Sequence, residues 1–351
     1  LPKGLDLARS FHQAGWRVII AEPARAHLSQ SSRAIDRIYH VPAPAINKSA
    51  YLEALADIIR REAVDLVIPV SEEIMYVAHL ADDAALRDKL FCMTSTRIHQ
   101  VHDKEQFAAL CTTLGLTVPE TARASSAAAP FDARDDLLVQ RRIIGQEVSS
   151  CSLARAGEVI ATSLYRGSLM NGTVAIGFEH INHYKIQEWI AQFVAATEWT
   201  GFIAFDFLVD RNDVPYALEC NPRLTSGVHF FKTSELADAI TGSRAALGFR
   251  AETRLMQFWS CMEEWQKSIG NWQRMKHVAS TLWHHRDVTW SWRDPLPLIM
   301  MPWTARDIIR AARKAGLSFG IAATRDIVWT ESAENVHDQA NRSAPPPIRH
   351  D

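Results

Sequence analysis

The sequence predicts a mixed fold, a parallel α/β layer followed by an antiparallel α+β region, and three observations carry this. Between residue 1 and about residue 96, short β-rich runs alternate with amphipathic stretches of ten or more residues, the pattern of strand–helix units around a parallel sheet. From Leu137 the apolar period shortens to that of strands, with turn residues between the runs. At 351 residues and 47% hydrophobic content the chain is too long for one core and calls for two or three domains.

Leu5, Leu7, Ala8 and Phe11 recur at helical spacing, Gly15 stops the run, and "RVIIAE" follows as a strand. This order calls for a strand before residue 1. A helix is expected near 50–62, a strand at "DLVIPV", a helix near 72–84 and a strand at "LFCMTS". "VHDKEQFAALCTTLGLTVPET" is an amphipathic helix built on Phe107, Leu110, Cys111 and Leu114, ended by Gly115 with Pro119 beyond. "ARASSAAAPFDARDD" reads as a loop. Strands then follow at "LLVQRRIIGQEVSSCSLAR" and "EVIATSLYRG" with Gly157 at the turn, and a helix near 185–198 precedes "GFIAFDFLVDRNDVPYALECNP", a β-hairpin.

Residues 252–285 form a helical stretch, divided at Gly270, with Phe258, Met262, Trp265, Ile269 and Trp272 on one stripe. Tryptophans at this spacing are expected in the core rather than on a membrane-surface face, because charges there nearly cancel. The boundaries expected are 1–96, 97–245, a helix-rich region 246–330 and a disordered tail 331–351 containing "RSAPPPIRHD".

A net charge of −2 with the two signs interspersed gives no reason to expect nucleic acid or an anionic membrane as partner. Five cysteines, odd in number and without metal-ligand spacing, are expected as buried free thiols in a reducing cytoplasm. No stretch approaches the ~18 apolar residues of a membrane span, so the expected localisation is cytoplasmic. Glu22 ends a strand where a dinucleotide-binding acid would stand, but no G-x-G-x-x-G precedes it, which argues against a nicotinamide-dependent oxidoreductase.

The hairpin concentrates the chemistry. Ala204, Asp206 and Leu208 share one face of its first strand, and Ala217, Glu219 and Asn221 one face of its second. With the turn centred near Asn212 and Asp213, Asp206 falls opposite Glu219, and two opposed carboxylates repel unless something positive lies between them. Carboxylate and amide oxygens are hard ligands that suit Mg2+ or Mn2+, and Mg2+ completes its shell with water and phosphate oxygens. Arg223, two residues past Asn221, could reach a terminal phosphoryl group. The residues alone leave two readings open: a metal–nucleotide site, or a sheet end closed by an ion pair between Glu219 and Arg223.

An Asp on a strand, followed thirteen residues on by a Glu and x-Asn-Pro-Arg, resembles the ATP-grasp superfamily, the fold of carbamoyl-phosphate-synthase-like enzymes and carboxylate-amine ligases. The resemblance covers most of residues 1–245 and includes the α/β pre-ATP-grasp domain, "HDKEQFA", "VQRRIIGQE" and "ECNPR". It implies that Asp206, Glu219 and Asn221 hold the metal ions and that Arg223 contacts the transferring phosphate. It places Gln140, Arg141, Arg142 and Ile143 at the hinge along the adenine, with Ile143 on the ring and Glu147 on the ribose hydroxyls. The activity implied uses ATP and Mg2+ to activate a small-molecule carboxylate as an acyl phosphate for attack by an amine, work for positioning and charge neutralisation.

One departure stands out. The family's lysine-bearing strand and glycine-rich lid belong between "VPET" and the hinge strand, where "ETARASSAAAPFDARDD" has neither lysine nor glycine nor a β-rich run. Arg141, Arg142, Arg166 and Lys185 are the cations available to compensate. The alternative function is therefore a degenerate ATP-grasp protein that binds nucleotide without turnover. In the N-terminal layer, Arg25, Ser71, Glu72 and Glu73 lie after strand ends and are candidates for the wall of the substrate cleft.

Overall fold

The computed structural model describes residues 2–123, 138–172, 174–306, 310, 314 and 326–329. Helix α1 (Pro2–Gln13) opens the chain, followed by β1 (Ile19–Glu22), β2 (Arg37–His40) and α2 (Lys48–Arg61). Strands β1 and β2 pair in parallel, Ile19 opposite Arg37. The parallel layer is thinner than the sequence suggests. Of "DLVIPV" and "LFCMTS", one parallel bridge joins Val67 to Leu90, and Pro69, with no N–H to donate, ends the ladder there. Strand β2 was not anticipated from the sequence.

Short helices α3 (Ile74–Val77) and α4 (Ala84–Arg87) stand where one helix over 72–84 was expected. Then come α5 (Ser95–His102) and α6 (Lys104–Thr113). Asp103 caps α6, its side chain accepting the Gln106 N–H at 2.7 Å, and Gly115 at φ 71° lets the chain leave it. Strands β3 (Thr121–Arg123) and β4 (Leu138–Gln140) pair antiparallel, so three residues of the segment expected to hold no β-run form a strand. The remainder of that segment, and the C-terminal tail from residue 330, lie outside the described residues.

The main sheet has seven strands in the order β11-β10-β7-β6-β5-β8-β9. They are β5 (Gly145–Arg155), β6 (Glu158–Asn171), β7 (Val174–Ile181), β8 (Gly201–Asp210), β9 (Pro215–Asn221), β10 (Arg254–Met256) and β11 (Arg286–Asp287). The expected hairpin is β8–β9. Strands β7 and β10 were not expected; β10 is three residues long and β7 sits directly before a strong helix. That helix, α7 (Tyr184–Ala196), buries Ile186, Trp189, Ile190, Phe193 and Val194, an i, i+3, i+4, i+7, i+8 stripe. Trp189 and Phe193 stack at 5.6 Å and meet Phe205 and Phe207 of β8, so the odd-numbered residues of that strand line the core and Asp206 points to the other face.

Helices α8 (Thr233–Thr241), α9 (Phe258–Lys267), α10 (Trp272–His284) and α11 (Leu296–Thr304) complete the described chain. Gly270, at φ 95°, lies between α9 and α10 as the sequence predicts. The expected core stripe holds in part: Phe258 and Trp265 pack against the buried Cys261 and Val278, whereas Ile269 and Trp272 lie on the surface, as do Trp283, Trp292 and Trp303. The C-terminal region is tied to α1 by the buried Arg9, which reaches Asp294 Oδ2 at 2.9 Å and the carbonyl oxygens of Thr289 and Asp294. All five cysteines are free and four of them are buried.

Candidate functional site

The outward face of β5, β8 and β9 gathers the hairpin's polar residues. Asp206 pairs across the ladder with Glu219 on one side and Ser149 on the other. A bulge between Asp206 and Phe207 sets this register, shifting the pairing so that Phe207 opposes Ala217. Ala217, expected on the Glu219 face, therefore turns into the core, where it is 1% exposed. Ser149 donates its hydroxyl to Asp206 Oδ1 at 2.6 Å, and the Asn221 side-chain amide donates to Oδ2 at 3.1 Å. Burial, with the Glu219 charge adding to it, pushes the Asp206 carboxyl up to about 6.

Glu219 has a partner that sequence reading missed. Lys104 Nζ lies 2.9 Å from its Oε2. Burial alone would raise the Glu219 carboxyl, but hydrogen bonding to Lys104 and the charge of that ammonium hold it below the usual range. Lys104 occupies the first turn of α6, where the helix dipole disfavours a cation, and the Glu219 carboxylate offsets that. The signal was present in "HDK", where Asp103 as cap fixes the first-turn position of Lys104.

Arg223 does not close an ion pair on Glu219. Its Nη2 lies 3.3 Å from Glu72 Oε1, which removes the reading of a Glu219–Arg223 sheet end. Glu73 accepts the N–H groups of Val70 and Ser71 and so shapes the turn that presents Glu72. Lys3, buried at the start of α1, donates to the Leu224 carbonyl at 2.7 Å and lies 3.3 Å from Ser71 Oγ. Burial, reinforced by the Arg223 charge, lowers its ammonium to about 7. Ser71, Glu72 and Glu73 of the N-terminal layer thus meet the Arg223 segment. Arg25 lies apart from them, in a cleft of about 250 Å3 with Glu22, His27 and His40.

The hinge residues fall between two strands. Gln140 ends β4 and donates its side-chain amide to Thr121 Oγ1 at 3.1 Å. Arg141 donates its backbone N–H to the Glu120 carbonyl at 2.8 Å and sets its guanidinium 5.8 Å from the centre of the Tyr216 ring. Arg142 is exposed and Ile143 half-buried, before β5 begins at Gly145. A Cβ at Gly145 would lie 2.2 Å from the Val209 carbonyl oxygen, so the strand start requires glycine there. Glu147 is two residues from Ser149 on the same face of β5, on the side of the sheet that carries Asp206.

Two of the cations considered as replacements for the family lysine are engaged elsewhere. Arg166 pairs with Glu179 at 2.7 Å and Lys185 with Asp213 at 2.8 Å. Among the described residues no group of three or more His, Cys, Asp or Glu is placed to hold a metal ion. The donor set on the sheet is two carboxylates and an amide; Lys104 partners Glu219 and the amide N–H partners Asp206, and with the amide turned to present its oxygen the set is one of hard oxygens, which fits a magnesium ion that takes its remaining ligands from water and phosphate.

The sheet packs α7 on one face and α1 and α8 on the other, with the Asp206–Glu219 pair at the edge of that second face. Solved structures share this fold, the ATP-grasp fold. The chain is similar to L-amino acid ligase from Bacillus licheniformis, with TM-score 0.53 at 13% identity over 67% of this chain and 71% of that one. It is similar to the biotin carboxylase subunit of pyruvate carboxylase, with TM-score 0.54 at 11% identity over 69% of this chain and 68% of that one. It also matches the biotin carboxylase domain of Hydrogenobacter thermophilus 2-oxoglutarate carboxylase in complex with MgADP and bicarbonate, with TM-score 0.53 at 12% identity over 69% and 68% of the two chains. No family model and no curated protein matches the sequence.

Proposed function

We propose that this protein is an ATP- and Mg2+-dependent ligase that activates a small-molecule carboxylate for attack by an amine. The observation that carries the reading is the facing pair Asp206 and Glu219, joined by the Asn221 amide and bordered by Lys104. A non-catalytic sheet has little use for two opposed carboxylates, one of them held up to about 6. Asp206, Glu219 and Asn221 would hold the metal, which when bound neutralises phosphate charge and polarises the phosphoryl group.

The chain's own residues do the rest. Lys104 and Arg223 supply cations at the two ends of the carboxylate cluster, Lys104 for the phosphates of ATP and Arg223 for the terminal phosphoryl group as it passes to the substrate carboxylate. The acyl phosphate so formed is attacked by the amine, with phosphate leaving. Glu147, an acceptor with two oxygens, suits the ribose hydroxyls. Gln140, Arg141, Arg142 and Ile143 form the adenine edge, with Tyr216 beside them. Glu72 and Ser71 bring the N-terminal layer to the reacting end, where the carboxylate and amine meet.

The second reading, nucleotide binding without turnover, is favoured by one observation: residues 124–137 contain no lysine and no glycine. The deciding experiment follows phosphate release with ATP, Mg2+ and pools of amino acids, in the wild type and in Glu219→Gln. Phosphate release that depends on a carboxylate and an amine together, and is lost in Glu219→Gln, supports ligation. Nucleotide binding with no phosphate release in any pool establishes the second reading instead.

A further inference from the structure

Helix α1 buries four polar side chains, Lys3, Asp6, Arg9 and Ser10. Three of them are matched in the ordinary way. Asp6 meets His229 at 2.7 Å and Arg250 at 3.1 Å, Arg9 meets Asp294, and Ser10 accepts the Ala237 N–H at 2.8 Å. Lys3 is different. It is 9% exposed, yet the hydrogen-bond partners of its ammonium are a carbonyl, that of Leu224 at 2.7 Å, and a hydroxyl, that of Ser71 at 3.3 Å. Burial and the Arg223 charge work against the ammonium, and the Glu73 and Glu72 charges offset only part of that. A methionine of nearly the same length would fill the position without this cost, so the fold alone gives no reason for a cation there.

What the ammonium holds is the loop after β9. The Arg223 N–H turns back on the Asn221 carbonyl at 2.7 Å, and beyond it the Thr225 hydroxyl ties the loop to the sheet at the Ser150 carbonyl, 3.0 Å away. Lys3 ties the same loop to the N-terminal layer, through the carbonyl of the residue next to Arg223. Leu224 is fully buried, so no water replaces a donor lost from that carbonyl.

The second contact of Lys3 bears on the guanidinium. Ser71, whose N–H is fixed on Glu73 at 2.9 Å, directly precedes Glu72, and Glu72 takes Arg223 Nη2 at 3.3 Å. Glu72 engages one of the five guanidinium donors and leaves others for a phosphate. The backbone and the side chain of Arg223 are thus both held from one buried ammonium.

We propose that Lys3 is a positioning residue for Arg223: by joining the Leu224 carbonyl to Ser71 it fixes the guanidinium where it meets the terminal phosphate of ATP. The proposal rests on the reading of Arg223 as the contact to that phosphate. Lys3, buried with its ammonium on Leu224 and Ser71, acts through Arg223 rather than on the nucleotide. ADP lacks the terminal phosphate, so Lys3 matters for the triphosphate and not for the diphosphate.

The test is calorimetry of the full chain with Mg-ADP and with the magnesium complex of a non-hydrolysable ATP analogue, read as the ratio of the two affinities. Arg223→Ala should reduce the preference for the triphosphate about tenfold or more, the loss of one charge-assisted contact. Lys3→Met should reduce it about fivefold or more with Mg-ADP affinity unchanged, and in the Arg223→Ala background should move it by less than about twofold. Lys3→Gln keeps a neutral donor and should fall between wild type and Lys3→Met; it carries the test if Lys3→Met does not fold, which thermal unfolding checks. A purely structural Lys3 would lower the melting temperature and leave the ratio alone. That result, or a Lys3→Met effect that persists in the Arg223→Ala background, overturns the proposal while the reading of Arg223 stands. A ratio that Arg223→Ala leaves intact overturns that reading and the proposal with it, and a wild type that binds neither nucleotide overturns the functional reading as a whole.

Discussion

Replacing Asp206 by Asn should make the protein more stable while removing its proposed metal site. The carboxyl is pushed from 3.8 to about 6 by burial and then by the Glu219 charge, so its ionised form is disfavoured in the native state. That displacement corresponds to at most about 3 kcal/mol against the ionised form, and about 2 kcal/mol after relaxation is a fair expectation. The sign follows from proton binding. Below pH 3.8 the carboxyl is protonated folded or unfolded and costs nothing; between 3.8 and about 6 only the unfolded chain ionises, so native stability falls as pH rises; above 6 the cost is constant. The new amide keeps an oxygen for the Ser149 hydroxyl, and its NH2 meets the Asn221 side chain once that amide flips to present its oxygen. Thermal unfolding of the metal-free protein with a chelator present should therefore show Asp206→Asn melting a few degrees above wild type at pH 7.5, with the gap closing toward pH 4. A variant that melts at or below wild type at pH 7.5, or a gap independent of pH, would refute the account of Asp206 as a strained carboxylate.

Lys104→Ala should cost less than about 1 kcal/mol in stability, because the Lys104–Glu219 pair is partly exposed, yet weaken Mg-ATP by about tenfold or more in calorimetry. Affinity equal to wild type would remove Lys104 from the proposed phosphate contacts. Lys3, held at about 7 rather than 10.5, binds fewer protons folded than unfolded, so wild-type stability should rise between pH 7 and 10.5; Lys3→Met should flatten that rise in urea titrations across the range. Gly227→Ala should destabilise by about 1–3 kcal/mol, since the added Cβ lies 2.6 Å from the Cys151 Cβ and 2.8 Å from the Tyr165 ring, both in the packed interior; an unchanged urea midpoint would show that this contact relaxes freely.

The parts of this protein that its sequence determined are those whose signal is local. Alternation along "GFIAFDFLV" assigns Asp206 to one face and Phe205 and Phe207 to the other, because side chains on a strand must alternate. The spacing of Ile186, Trp189, Ile190 and Phe193 makes α7 amphipathic in any surroundings. Glycine at φ 71° and 95° marks two helix boundaries for a reason internal to the backbone.

Other features needed the folded chain. The bulge that sends Ala217 inward while keeping Glu219 opposite Asp206 depends on how β9 packs over the aromatic core, and alternation counted along the strand runs straight through it. Lys104 reaches Glu219, and Arg223 reaches Glu72 rather than its neighbour on β9, because separate layers close on one sheet edge. Helical spacing marked the tryptophans of 252–285 as core, which holds for Trp265 and not for Trp272. Spacing shows only that apolar groups share a face, and which face turns inward is set by the anchors, Arg9 on Asp294 and Trp259 on Leu298, that fix how the segment sits against the rest of the chain.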